Sequence, residues 1–427
     1  MQSSQRQDLS VILELGSVEQ LKRLADKGYK PSSQPKVNSH IHLPPNFSAF
    51  QSVQQAVALA EEQSVRVLGV SNYYDFSVYD DFAEQARQRN VFPLFGLEII
   101  ALLNDLAEKA IRINDPSNPG KLYICGKGIT CFAELTPRAS ELIAIIRRND
   151  DKRMAAMIGR VDAIFASHGL QTHLDAKAVS RSVTRRHRCD SRTVTLQERH
   201  IAQAFQEAFF KRVEPQQRGE FLSRLFGSPS TTQPDDAVAI QGQIRSHLMK
   251  AGKPAFVQES FLNFPQAYGL ILELGGIPCY PTLADGANPI CEYETPVEKL
   301  IERLQENNIH MAELIPIRNK PSVLTSYAST MRQAGILLVS GTEHNTSELL
   351  PIEPKCVDGQ DVSPEVAGLF WEGACIVAAH QFLTLHGQQG YVDQSGKLNP
   401  AYETVEQRID EFAKLGAAVI QKYYDIQ

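Results

Sequence analysis

The chain has 427 residues, a formal net charge of −6, 43% hydrophobic and 22% charged residues. This is the balance of a globular protein with a large core, and it excludes a disordered or fibrous chain. Its seven cysteines include no CxxC pair, which speaks against a zinc ribbon or disulfide framework and for a reducing, cytoplasmic setting. No apolar run approaches the roughly 18–20 residues of a membrane span, and "MQSSQRQDLSVILELGS" lacks the build of a leader peptide, so no membrane association is expected.

Apolar spacing predicts an amphipathic helix over 8–27, carrying Leu9, Ile12, Leu13, Val18, Leu21 and Leu24, which "GYKPSSQP" then breaks. From Lys36 the pattern alternates. "KVNSHIHL" reads as a strand and its end, "FQSVQQAVALAEEQS" as a helix, and "VRVLGVSNYYD" as a strand. "VYDDFAEQARQRN" is again helical and "VFPLFGLEII" a strand. Strand and helix at this tempo predict βαβ units and a parallel sheet. Beyond Pro137 the sequence turns helical and charged. Between Arg138 and Arg224 it holds 17 Lys and Arg against 10 Asp and Glu, a basic stretch on an acidic body. That asymmetry fits an anionic ligand as well as it fits a solvated helical surface. Alternation resumes with the helix "FPQAYGLILELGG" and the strand "IPCYPTLADG". "VEKLIERLQENN", "IHMAELIPIRN", "LTSYASTMRQAG" and "ILLVSGTEHNT" continue it, and two helical stretches end the chain. The divisions expected are an N-terminal helix over 1–35, a barrel half over 36–137, a helical insertion over 138–262, a second barrel half over 263–355 and a C-terminal helical region over 356–427.

In parallel α/β folds ligands bind at the C-terminal ends of the strands. His40 and His42, Ser71-Asn72-Tyr73, Glu98, Tyr280, Glu313 and His344 all fall at such ends. In a strand, residues two apart point to one side, so the imidazoles of "SHIH" can share one ion. A carboxylate behind the apolar strand "FGLE" needs a cation or hydrogen-bond donor to be buried. His40, His42, Glu98 and His344 together make a three-nitrogen, one-oxygen set suited to Zn²⁺, Mn²⁺ or Fe²⁺. Glu313, Arg318 and Asn319 in "ELIPIRN" add polar groups, and Arg318 could clamp a carboxylate or phosphate. Lys121 and Lys127 flank "LYICG" in a turn-rich stretch, and Asp285 follows a strand end where it could act as acid or base.

This order of motifs resembles the PHP (polymerase and histidinol phosphatase) domain over roughly residues 36–350. The resemblance implies a distorted (β/α)7 barrel, here with a helical insertion and a C-terminal helical extension, and metal-dependent phosphoesterase chemistry. Position by position it makes His40, His42 and Glu98 metal ligands and aligns His344 with the last ligand. Thr342 then stands where the family has a metal-binding Asp, with Glu343 adjacent as a substitute. "ERHIAQAF" is similar to a segment that faces the substrate phosphate, which implies a role for His200; Glu198 stands where that segment has its arginine, with Arg199 one position off. The departures are substitutions: Asn72 for Asp, and Tyr73, Tyr123 and Tyr280 for three ligand histidines. Neutral tyrosine is a poor ligand for these ions, so one divalent ion at most is expected.

The reading that follows is a metal-dependent phosphoesterase-like hydrolase of a small phosphorylated metabolite or nucleotide. Its ion would be held by His40, His42, Glu98, His344 and Glu343, its catalytic groups would be Asp285, Tyr73 and His200, and its substrate contacts Arg199, Lys127, Arg318, Tyr123, Tyr280 and Asn72. The alternatives are an altered barrel that binds a small anionic ligand without hydrolysis, and a metal-dependent enzyme of another class using tyrosine as acid or base. The acidic barrel does not resemble a sequence-specific nucleic-acid binder.

Overall fold

The computed structural model describes residues 9–28, 34–230 and 232–426. The N-terminal region is two helices, α1 (Ser10–Leu13) and α2 (Val18–Asp26), rather than one. Gly16 breaks the run at φ +130°, and Ser17 and Gln20 form a capping box that starts α2 afresh. Part of the predicted breaker, residues 29–33, and the predicted helix start at residue 8 lie outside the described residues.

Eight strands form one sheet: β1 (Lys36–Ile41), β2 (Val65–Val70), β3 (Phe92–Leu102), β4 (Lys121–Lys127), β5 (Leu262–Asn263), β6 (Ile277–Thr282), β7 (Met311–Leu314) and β8 (Leu337–Ser340). Seven follow the order β1-β2-β3-β4-β6-β7-β8, with β5 a short addition to β3. The sheet curls shut where the chain after β8 meets β1. Thr342 and Glu343 donate backbone hydrogen bonds to the His40 carbonyl, and His42 N–H donates to that of Glu343 at 2.8 Å. The result is a distorted seven-stranded barrel with helices around it.

The distortion lies at β4, which runs antiparallel to both β3 and β6, against the all-parallel expectation. β3 serves two partners. Val67 to Val70 of β2 pair with Phe92 to Phe95, and from Gly96 onward the strand pairs with β4. Gly96 sits at the handover because a Cβ there would run into the Gly126 carbonyl and the Ser71 hydroxyl.

Helices α3 (Val53–Glu62) and α4 (Tyr79–Gln88) cross between the first strands, and α5 (Asn104–Glu108) is a single turn. α6 (Pro137–Ser167) starts with Thr136 as N-cap and proline in the first turn. Its first half, Ala139 to Ile146, packs into the barrel core. Its second half, Met154 to Phe165, enters a separate apolar core made wholly of residues between 154 and 255. That second core is closed by α7 (Ala176–His187), α8 (Glu198–Phe210), α9 (Pro215–Phe226), α10 (Ala237–Ile244) and a π-helical turn, Arg245–Met249. In the second barrel half α11 (Phe264–Glu273), α12 (Val297–Glu306) and α13 (Pro321–Gln333) separate the strands.

α14 (Pro364–Leu385) and α15 (Val405–Asp425) finish the fold. By length and composition α14 could cross a membrane, with a mean hydropathy of 1.3 over its most apolar window, so the expectation that no segment approaches such a span is corrected. Its residues are instead mostly buried, against β8, β1 and α15. Gly373 allows the helix to touch the Leu338 carbonyl, and Gly416 of α15 touches the Cys375 backbone. All seven cysteines are free.

Candidate functional site

The end of β1 places His40 and His42 on one side, both fully buried. Their Nε2 atoms face each other at 3.3 Å, and an oxygen of Glu98 lies 3.1 Å from His42 Nε2. The three donor atoms lie within 4.8 Å of one another. Each histidine is fixed from behind. His40 Nδ1 donates to Glu313 at 2.8 Å, which leaves its Nε2 lone pair facing His42. Tyr73 stacks on the His42 ring at 4.8 Å between centroids, and its backbone bridges to Glu98. Burial lowers the pKa of His42 and so favours the neutral imidazole, the form that ligates. Glu98 Oε2 and His42 Nδ1 are buried without a well-formed hydrogen bond. Two imidazole nitrogens and a carboxylate oxygen aimed at one point, one of them unsatisfied, match the donor set of a divalent transition ion.

Glu313 was read from the sequence only as one more polar group near a strand end. It carries the support of this trio, since its other oxygen takes an ion pair from Lys127 at 2.6 Å. Gly341 makes room, because a Cβ there would collide with the Glu313 carboxylate and His40. Cys125 completes a second donor group with His40 and Glu313, with its thiol pushed well up by burial.

A cavity of about 370 Å³ opens over Glu98 between the barrel and the insertion. Of the residues expected at the site, Tyr73, Glu98, Tyr123, Arg199, Arg318 and Glu343 line it. Arg199 makes no ion pair among the described residues, and its nearest polar contact is Asn345 Oδ1 at 3.5 Å. Burial and the neighbouring Arg245 push it down to about 10. Arg318 pairs with Glu343, which also accepts from Asn345 Nδ2 at 3.2 Å. Glu343 is therefore engaged away from the donor trio. Tyr123 is pushed up to about 12 by burial.

Six of the expected residues lie apart from the trio and off the cavity, each with partners of its own. His344 does not join the trio: Thr342 Oγ1 holds its Nδ1 at 2.8 Å and its Nε2 donates to the Leu350 carbonyl at 2.9 Å. His200 is a helix-starting residue whose Nδ1 accepts from Gln197 N–H at 3.0 Å, with Phe47 edge-on against its ring. Asp285 accepts from Asn319 Nδ2 and the Lys320 N–H and so ties a loop. Asn72 bonds both backbone groups of Leu43. Lys127 points into the barrel, toward Glu313, Ser39 O and Ser71 Oγ. Tyr280 is buried away from the cavity with its hydroxyl on Glu294 at 3.0 Å. Conversely, Lys121, Asp150, Arg153, Arg245, Lys250 and Glu259 line the cavity, and of these only Lys121 stands out in the sequence. The basic stretch in 138–224 was the one sequence signal for this wall. Arg245 starts the π turn, a distortion that often marks functional positions.

No protein-family model matches the sequence, and no curated protein does. Among solved structures, the chain is similar to a "putative metal-dependent phosphoesterase" from Bifidobacterium adolescentis, at 12% identity and TM-score 0.52 over 80% of this chain and 96% of that one. An amidohydrolase from Chromobacterium violaceum with bound sulfate and no metal aligns at 16% identity and TM-score 0.48, over 78% and 96% of the two chains. The first likeness shows the shared fold, a distorted α/β barrel.

Proposed function

We propose that this protein is a metal-dependent hydrolase of a small phosphate ester, with one divalent ion held by His40, His42 and Glu98. The observation that carries the reading is the pair of Nε2 atoms facing each other at 3.3 Å beside a carboxylate oxygen in the floor of a cavity. A divalent cation supplies Lewis acidity and lowers the pKa of a water. The chain's own part is orientation and charge. Glu313 holds the His40 tautomer, and Tyr73 packs on His42. Arg199, with Arg245 and Arg318 nearby, offers guanidinium groups to the ester's anion. Burial, then Glu98, raises the Tyr73 hydroxyl well above its usual range, which disfavours it as a base. The same fact favours the second reading, an anion-binding barrel without turnover. With His200 and His344 engaged elsewhere, no imidazole among the described residues lines the cavity to move a proton.

The test is metal analysis and turnover on phosphomonoesters, using protein stripped with chelator and then given Mn²⁺ or Zn²⁺. We expect close to one ion per chain, lost in His42→Ala, with hydrolysis restored by the ion. Stoichiometric metal without turnover on any ester selects the binding-only reading. Absence of metal binding by the unaltered protein sinks the hydrolase reading and leaves the anion-binding one.

A further inference from the structure

The cavity wall is densely charged, and nearly every charge is answered from within. Glu98 lies on His42, Asp115 on Lys121 at 3.5 Å, Glu198 on Arg153 at 2.5 Å, Glu259 on Lys121 at 2.9 Å and Glu343 on Arg318. Two groups stand apart. Arg199 has no ion pair, and Asp150, on α6, has no hydrogen bond or ion pair among the described residues. They sit on different parts of the wall. Arg199, on α8, reaches Asn345 beyond β8 at 3.5 Å, whereas Asp150 lies on α6 one turn before Arg153, whose guanidinium bonds Glu198 and Glu259. Withdrawal from water pushes Asp150 up to about 7, the mark of a carboxyl short of donors. On the same wall the Lys121 ammonium lies 5.3 Å from the Tyr123 ring centre and 5.1 Å from that of Phe261, and both rings line the cavity.

An unmet cation on one wall and an unmet acceptor on another describe the two ends of a ligand. Resting on the phosphate-ester reading above, we propose that the ligand is bifunctional. Its phosphate lies by Arg199 and the trio, and the portion the phosphate leaves behind carries a hydroxyl or ammonium that donates to Asp150. Asp150 is thus a specificity-determining residue.

The experiment is calorimetric binding to the intact, Mn²⁺-supplied protein of three phosphate monoesters of similar size: propyl phosphate, glycerol phosphate and phosphoethanolamine. A hydrogen bond to a charged group is worth roughly 1.5–3 kcal/mol, which is about 10- to 100-fold in affinity. We expect a preference of about that size for a donor-bearing ester over propyl phosphate. Whichever of the two is preferred identifies the donor as hydroxyl or ammonium. The preference should shrink in Asp150→Asn and vanish in Asp150→Ala, while Arg199→Gln weakens all three esters alike. Circular dichroism confirms that each variant is folded. Equal binding of the three esters, or a preference that persists in Asp150→Ala, overturns the role of Asp150 and leaves the anion reading standing. No binding of any ester overturns both.

Discussion

At the scale of single residues, the site is a lesson in what a strand end reveals. His40, His42 and Glu98 were legible because spacing of two and a carboxylate behind an apolar strand are local patterns. The motif positions that failed did so for non-local reasons. His344 was placed correctly along the chain, but Glu343 and His344 both adopt left-handed backbone, at φ +59° and +54°, and that turn puts the ring on Phe50 instead of beside His42. Tyr280 belongs to a strand whose far neighbour, Glu294, is visible only once the fold is known. Glu313 was underread for the same reason, being 273 positions from the histidine it supports. Its role gives a prediction. Replacing a partner that orients a ligand histidine typically weakens metal binding by about 10- to 100-fold, so Glu313→Gln should lower Mn²⁺ or Zn²⁺ affinity by that factor in a competition titration. Unchanged affinity would mean that Glu313 serves only to neutralise Lys127.

Among the elements, most helices and strands followed from periodicity and caps, and α14 shows where the pattern misleads. Its apolar surface runs nearly all round because it has protein on most sides, with β8 and β1 on one flank and α15 on another. The antiparallel course of β4 had no local signature, since "LYICG" would read alike in either direction. His380 of α14 is one polar residue whose environment can be tested by pH. Its Nε2 donates to the Gly275 carbonyl at 2.9 Å and its Nδ1 accepts from Tyr391 N–H at 3.0 Å, so the ring is neutral and fully used. Burial lowers it to about 4. In the unfolded chain it takes up a proton near pH 6.5, so between those values the unfolded state binds more protons. Stability is therefore present above about pH 6.5 and is lost as pH falls through about 4, by at most roughly 3 kcal/mol. His380→Gln retains a donor and an acceptor and should flatten the fall in denaturation midpoint across that window. An unchanged pH profile would assign the acid sensitivity to other groups.

Across the whole molecule, two apolar cores share one helix, and a charged seam joins them at the cavity. α6 gives its first half to the barrel and its second half to the insertion, so the two cannot tilt apart without breaking a continuous helix. The seam adds Glu198, which takes Arg153 at 2.5 Å, Lys250 at 3.0 Å and Arg245 at 3.6 Å. It continues through Glu259, which bonds Arg153 and, from the barrel side, Lys121 of β4. Burial works against ionisation of Glu198, yet Lys250, Arg153 and Lys121 hold it well below the usual carboxylate range. Removing one member of such a network leaves the others buried without a counter-charge, at a cost of about 3–5 kcal/mol. Glu198→Gln should therefore lower the denaturation midpoint strongly. Hydrogen exchange should quicken first in α8, α10 and the π turn, whose own core does not reach the barrel, while β1 to β3 stay protected. Loss of protection spread evenly over barrel and insertion would mean that the shared helix alone sets their relation. A local loss would instead make the seam the joint that fixes Arg199 and Asp150 across the cavity.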